Sequence, residues 1–168
     1  MGIRKVISGG QTGADIAALR AARAAGIATG GWCPKGWRTE KGRQPELLKG
    51  FGLREHGSAG YAARTRANVE EAGCTIIIGD ELDRGSKLTA EHCLNMTKPM
   101  LRVAQSRLDS KHELAKALTW LRSQPHALVN VAGNRESSSP GIEGEAEFFL
   151  RRLFAAIKSQ EAALPAPA

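Results

Sequence analysis

The stretch Ser8-Gly9-Gly10-Gln11-Thr12-Gly13-Ala14-Asp15 follows an apolar run, Val6-Ile7, and opens an Ala-rich segment that ends at Ala25. This order predicts a strand, a glycine loop and a helix. Glycine lets a ligand approach the main chain closely, and a helix N-terminus offers N–H groups and the positive end of its dipole. The loop therefore predicts a cradle for an anion, a phosphate above all, formed by Gly9, Gly10, Gln11, Thr12 and Gly13. A tight turn that binds nothing is the alternative, and Thr12 with Asp15 also matches a helix-capping pattern.

Two common nucleotide-binding patterns are missing from this loop. It has no Gly-Lys-Ser/Thr ending, so a P-loop is not indicated. Its glycines are not spaced as G-x-G-x-x-G, and the second apolar run, Ile27-Ala28-Thr29, ends in Gly30-Gly31-Trp32. A dinucleotide fold places an acidic residue there to hold the ribose. Nicotinamide cofactors are therefore disfavoured.

Composition indicates one domain with anionic partners. The 168 residues are 42% hydrophobic and carry a net charge of +7. Such a charge favours phosphorylated small molecules or nucleic acid. The cysteines, Cys33, Cys74 and Cys93, form no C-x-x-C pair, which favours a reduced compartment over a zinc site or a disulfide framework. No apolar run reaches membrane length and no signal-peptide pattern opens the chain, so we expect a cytoplasmic protein without membrane contact.

Strand and helix patterns alternate along the chain, which predicts an α/β fold with a mainly parallel sheet of about five strands and helices on both faces. The long polar stretch 32–60 is expected to be a loop. We expect one domain over residues 1–160 and a frayed tail over 161–168. The predicted strands are Ile3–Ser8, Ile27–Gly31, Thr75–Ile78, Met100–Val103 and Leu128–Val131; the predicted helices cover about 14–25, 61–72, 86–98, 110–121 and 141–158.

Loops at the carboxyl ends of the strands should meet at one edge of the sheet, where ligands bind in such folds. After the second strand, Lys35 and Arg38 could pair with anionic oxygens, and Trp32 or Trp37 could stack on a flat heterocycle. A basic surface loop with tryptophans packed for structure is the alternative. Two further groups of residues at the starts of predicted helices are candidate anion sites. For the first group the alternative is an ordinary Ser cap, and for the second it is a plain flexible loop. These groups are Gly85, Ser86 and Thr89, and Asn134, Arg135 and Ser137.

No catalytic constellation is visible in the sequence. The four histidines, at positions 56, 92, 112 and 126, are scattered, and none belongs to an H-E-x-x-H pattern. Asp15, Glu40, Asp80 and Glu91 could each act as a general base, but nothing selects one of them. We therefore predict neither a catalytic residue nor a metal-binding trio.

Four motifs together resemble the molybdenum cofactor carrier protein family. The resemblance covers nearly the whole chain and implies a Rossmann-like fold, similar to that of the cytokinin-releasing phosphoribohydrolases and of the DNA-processing protein involved in transformation. It also implies binding, protection and transfer of molybdenum cofactor, a dimeric or tetrameric protein, and molybdoenzymes as recipients. The motifs are Ile7 to Asp15; Gly30 to Gly36; Tyr61 with Arg64-Thr65 and Asn68-Val69; and Gly133 to Ser137 with Pro140-Gly141-Ile142.

The chain departs from its relatives at several positions. The carrier family often has Gly-Pro-Arg in place of Gly133-Asn134-Arg135, and Arg in place of Trp37. The phosphoribohydrolases have a second glycine before the threonine of their loop, where this chain has Leu88, and His92 lies near their catalytic Glu. A carrier of molybdenum cofactor is therefore the first hypothesis. An enzyme of phosphoribohydrolase type acting on a nucleoside monophosphate is the second, and nucleic-acid binding, motivated only by charge, is the third.

Overall fold

The computed structural model describes residues 2–125 and 127–162, with side chains described as far as residue 159. In this part of the chain six parallel strands form one sheet with the spatial order β5-β2-β1-β8-β6-β7. The strands of this sheet are β1 (Lys5–Ile7), β2 (Ala28–Cys33), β5 (Leu53–Glu55), β6 (Cys74–Ile78), β7 (Met100–Val103) and β8 (Leu128–Gly133), and β3 (Arg38–Thr39) pairs with β4 (Gly42–Arg43) in a separate antiparallel hairpin.

Helices cover both faces of the sheet, as predicted. The helices α1, α5 and α6 pack on one face, and α3 packs with α4 on the other. Strand β6 is buried along its whole length because helices cover both of its sides. The helices are α1 (Ala14–Ala24), α2 (Pro45–Gly50), α3 (Tyr61–Glu71), α4 (Arg84–Asn95), α5 (Lys111–Arg122) and α6 (Ile142–Ala162).

The main core lies between the sheet and the helices α1, α5 and α6. It includes the large side chains of Phe149 and Phe154, which are fully buried. The resulting α/β fold with a mostly parallel sheet confirms the predicted fold class. No described helix has both the length and the apolar character needed to cross a membrane.

The stretch 32–60 was expected to be a loop, and this expectation was wrong. It contains the β3–β4 hairpin, helix α2 and the edge strand β5. A second apolar cluster explains this order, because Leu48, Phe51 and Leu53 are buried against Ile16 and Leu19 of α1. The sheet therefore has six strands where about five were predicted.

Caps define the helix termini, and one of them differs from the prediction. Gly26 follows α1 with φ +67, the left-handed geometry common just past a helix end. Ser110 caps α5 by accepting the Glu113 N–H at 3.2 Å. Helix α4 begins earlier than predicted, and Asp83 caps it in place of Ser86. The predicted tail of residues 161–168 lies outside the described residues except for the end of α6, and stays a prediction.

Candidate oxyanion site

A narrow polar cleft lies at the carboxyl edge of the central strands, and we call it the arginine cleft. It has a volume of about 20 Å³, enough for about one water molecule. Its walls come from the glycine loop, α3, the start of α4 and the end of β8. The lining residues are Gln11, Asp15, Arg64, Thr65, Asp83, Gly85, Ser86, Thr89, Ala132, Gly133 and Arg135.

Arg64 forms the buried base of this cleft. Its residue is only 8% exposed, and its Nε has no hydrogen-bond partner in the described structure. The guanidinium fits there because Gly9 has no side chain: a Cβ on Gly9 would lie 1.3 Å from Arg64 Nη1. One helical turn further, Asn68 fixes α3 to β2, since its amide accepts the Trp32 N–H at 2.9 Å and donates to the Trp32 carbonyl at 3.0 Å.

Ser86 supplies a second buried donor that lacks a partner. Its residue is 1% exposed, and its hydroxyl has no partner in the described structure. Asp83 orders this wall: one carboxylate oxygen accepts the Ser86 N–H at 2.8 Å, and the other accepts the Arg135 N–H at 3.1 Å. Buried polar atoms are nearly always hydrogen-bonded. Two orphaned donors in one cleft therefore indicate a place for a ligand that accepts hydrogen bonds.

Tyr61 stands at the first turn of α3 and brings the two arginines of the cleft near one ring. The Arg135 Cζ lies 5.0 Å from the centroid of the Tyr61 ring, and the Arg64 Cζ lies 5.6 Å from it. The tyrosine is 38% exposed. Cation–π attraction at these distances holds both guanidiniums close together without neutralising them.

Asp15 also lines the cleft and is 4% exposed. Burial raises the pKa of its carboxyl to about 6, and the nearby Asp83 carboxylate adds to the rise. Arg64, the Gln11 N–H and Arg135 lower the same pKa, but less strongly. Burial prevails because the Arg64 Nη1 to Asp15 Oδ2 distance is 3.7 Å, longer than a charge-assisted hydrogen bond. Asp15 is thus a carboxyl that titrates near neutral pH inside the cleft.

The amides of the glycine loop are largely taken by groups of the chain itself. The Gln11 N–H donates to the Asp15 carboxylate at 3.1 Å, and the Gly13 N–H donates to the Glu143 carboxylate at 2.9 Å. Gly13 occupies the N-cap position without a side-chain cap, so the capping pattern of Thr12 and Asp15 was wrong. Gly10 has φ +73, and a Cβ on it would lie 2.6 Å from Leu53, which gives it a packing role.

Thr12 and Ser137 lie in a neighbouring group that we call the Glu40 cluster. Both hydroxyls donate to the Glu40 carboxylate. The Gln11 side chain fixes the hairpin that carries Glu40: its amide donates to the Arg38 carbonyl at 3.1 Å, and its oxygen accepts the Glu40 N–H at 3.1 Å. Partial burial alone would raise the pKa of Glu40. The hydrogen bonds from Ser137 and Thr12 lower it, and the net shift of this pKa is downward.

Trp32 and Lys35 are not brought to the arginine cleft. The Trp32 indole donates to Glu71 at 3.0 Å and lies 4.0 Å from the Arg54 Cζ and 5.8 Å from the His56 ring. Trp32, His56 and Glu71 line a separate surface pocket of about 390 Å³. Lys35 is exposed, and its N–H donates to the Ser58 carbonyl at 3.2 Å.

Asn134 is buried and connects two loops. Its side chain accepts the Asp83 N–H at 2.9 Å and donates to the Glu81 carbonyl at 2.6 Å. Gly85 and Thr89 line the cleft, and the Thr89 hydroxyl donates to the Gly85 carbonyl at 3.1 Å. Of the predicted site residues, Gln11, Gly85, Ser86, Thr89 and Arg135 line the arginine cleft.

Arg64, Thr65 and Asp15 were not among the predicted binding residues. Arg64 and Thr65 entered only as part of a family motif, and Asp15 only as one of several acids. A usable signal was present, because the polar side chains of Arg64, Thr65 and Asn68 share the buried side of α3 with Val69. Polar residues on the inner face of a helix require partners.

This fold and site define the class of protein. The chain matches the circularly permutated YpsA SLOG family over residues 6–154 and belongs to that family. A solved structure is also similar: the crystal structure at 1.45 Å resolution of a protein from Syntrophus aciditrophicus SB described as a "Putative molybdenum carrier protein". It is 36% identical, with a TM-score of 0.83, and the match covers 91% of this chain and 95% of that one. A search of curated proteins gave no match.

Proposed function

We propose that this protein is a carrier of molybdenum cofactor and that the arginine cleft holds an anionic group of this cargo. The observation that carries the proposal is the pair of buried donors, Arg64 Nε and Ser86 Oγ, which have no partner in the described structure. Leaving such donors unpaired costs about 1–3 kcal/mol each. An oxygen of a phosphate or of an oxometal group would recover that cost.

The size of the cleft sets how the cargo binds. A volume of about 20 Å³ admits oxygen atoms but not a pterin ring. The ring system would therefore lie at the mouth, where the Tyr61 side chain is 38% exposed. No group of three or more metal-ligating side chains is found in the described residues. In this proposal the molybdenum stays on the dithiolene of the cargo, and the protein contacts it through hydrogen bonds.

The test is binding of purified molybdenum cofactor by isothermal titration under anaerobic conditions. Ser86→Ala and Arg135→Gln each remove a donor of the cleft and should weaken binding at least tenfold, about 1.4 kcal/mol. Arg66→Gln removes the same charge from an exposed position of the same helix as Arg64 and serves as the matched control. Equal losses in all three variants would indicate a general charge effect and contradict the proposal.

Carrier function has its own readout. Protein-bound cofactor and free cofactor are stored for the same time and then added to a cofactor-free molybdoenzyme. The bound cofactor should still restore activity after storage times at which the free cofactor no longer does. Failure of the wild type to bind cofactor or to extend this lifetime would overturn the carrier proposal.

We also propose a dimeric or tetrameric assembly, which sedimentation analysis tests. We further propose a cytoplasmic location, which is supported by three cysteines that are all free and buried.

Asp15 supports a second candidate function, an enzyme acting on a nucleoside monophosphate. A buried carboxyl with a pKa of about 6 beside two arginines is suited to a general base next to a bound phosphate. Base release from a panel of nucleoside monophosphates, abolished by Asp15→Asn, would support this function. No release by the wild type would exclude it.

A further inference from the structure

We propose that the arginine cleft is a site for the tetrahedral oxyanion part of a ligand and that anion binding is coupled to protonation of Asp15. This inference rests on the proposed function, because it concerns the same site. It adds a class of ligand, a tetrahedral dianion such as sulfate, phosphate or molybdate that places an oxygen in the cleft and its other atoms at the mouth, and a condition, proton uptake on binding. Neither follows from carrier function alone.

The charges that face Asp15 carry the argument. The charges that act on it are those of Arg64 in α3, Asp83 just before α4 and Arg135 in the loop after β8. With Asp15 ionised, two positive and two negative side chains give the cleft no net charge. With Asp15 protonated, the cleft has a net charge of +1. A dianion therefore prefers the protonated form.

Contact geometry gives the same result. Asp15 Oδ2 lies 3.7 Å from Arg64 Nη1, so an oxygen bound at this guanidinium would lie near a carboxylate oxygen if Asp15 were ionised. A protonated carboxyl has no such repulsion and can donate a hydrogen bond to the anion. The Ser86 hydroxyl and Arg64 Nε supply neutral and cationic donors in the same cleft.

Linkage fixes the direction of the pH dependence. The carboxyl of Asp15 titrates at about 6 without ligand, and an adjacent anion raises its pKa further. Anion binding near neutral pH therefore takes up protons, and affinity increases as the pH falls. The dependence should level off below about pH 6, where Asp15 is already protonated.

The experiment uses sulfate, whose own charge is constant between about pH 5 and 8. Isothermal titration of the wild type should give about tenfold tighter binding at pH 5.5 than at pH 7.5. Titrations in two buffers of different ionisation enthalpy should show proton uptake at pH 7. Asp15→Asn should bind sulfate at pH 7.5 as tightly as the wild type does at pH 5.5, without dependence on pH.

Three results would overturn the coupling: equal wild-type affinity at both pH values, no proton uptake, or weaker binding by Asp15→Asn at pH 7.5. The proton measurement needs only the wild type, so it decides the question even if the variant misfolds. Parallel titrations with molybdenum cofactor separate the two proposals. Sulfate binding with proton uptake but no cofactor binding contradicts only the carrier; cofactor binding without proton uptake contradicts only the coupling.

Discussion

The arginine cleft and the Glu40 cluster lie side by side at the same edge of the sheet but differ in how their donors are satisfied. In the Glu40 cluster the hydroxyls of Thr12 and Ser137 both donate to a carboxylate of the chain. In the cleft, Arg64 and Ser86 each retain a buried donor without a described partner. The difference indicates where an external anion can bind, because an internal carboxylate already fills the first position.

Gly13→Ala should lower the stability of the protein more than the other substitutions considered below. Gly13 lies next to both the arginine cleft and the Glu40 cluster. Its φ is +81, and a Cβ would lie 2.3 Å from the backbone carbonyl of Asn134. Left-handed strain and a collision with backbone should together cost about 3–5 kcal/mol in the free energy of unfolding, measured by urea denaturation. Gly50→Ala, where a Cβ meets nothing within 4 Å, is the control. A Gly13→Ala protein as stable as the control would contradict the described loop contact.

Asp15→Asn should change stability in a pH-dependent way without any ligand. Burial raises the folded-state pKa from 3.8 to about 6, so stability from protonated Asp15 is fully present below about pH 3.8 and is lost as the pH rises through 6. The variant should then be more stable than the wild type by roughly 3 kcal/mol at pH 7.5 and nearly equal to it at pH 4. Urea denaturation at both pH values measures this, and a difference that does not depend on pH would refute the assigned burial of the charge.

Gly9→Ala should affect binding more than folding. Its Cβ would collide with Arg64 Nη1, the end of a flexible side chain, and Gly9 has no positive φ. The arginine should move out of place and sulfate affinity should fall about tenfold, or 1.4 kcal/mol. Titration at pH 5.5 measures the loss, and unchanged affinity would show that the position of Arg64 is not required.

Glu40→Gln should have the smallest effect. The residue is exposed, so loss of its charge should change stability by less than about 1 kcal/mol. If the two regions are independent, sulfate affinity at the cleft should change by less than about twofold. A tenfold change in either direction would show that the cluster and the cleft act as one site.

Sequence patterns gave the fold more readily than the site. The β-branched run of Thr75–Ile78 predicts a buried central strand, whereas the edge strand Leu53–Glu55 has three residues and a single apolar side chain. Trp32 does not line the arginine cleft, and the alternation of side chains along β2 explains why. Side chains alternate along a strand, and in β2 Gly31 and Cys33 are buried while Trp32 is half-buried.

The residues of the candidate site depend on partners that no local sequence pattern specifies. The glycine loop was predicted to attract a negative charge, and the carboxylates of Asp15 and Glu143 accept its N–H groups. Glu143 is 130 residues away in sequence from Gly13. The orphaned donors of Arg64 and Ser86 exist only because the folded chain buries them. Which N–H groups and hydroxyls already have partners within the chain is therefore visible only in the folded structure.

Strand β8 is the last strand of the sheet along the chain, yet it lies between β1 and β6. During synthesis, β1 and β6 therefore emerge long before the strand that joins them, and each exposes an unpaired edge until residue 133 has left the ribosome. Contacts between such distant segments slow folding, and open edges favour aggregation. Because Arg135 follows β8, the cleft also assembles only in this final step. A nascent chain thus cannot take up an anion at this site before its sheet has closed.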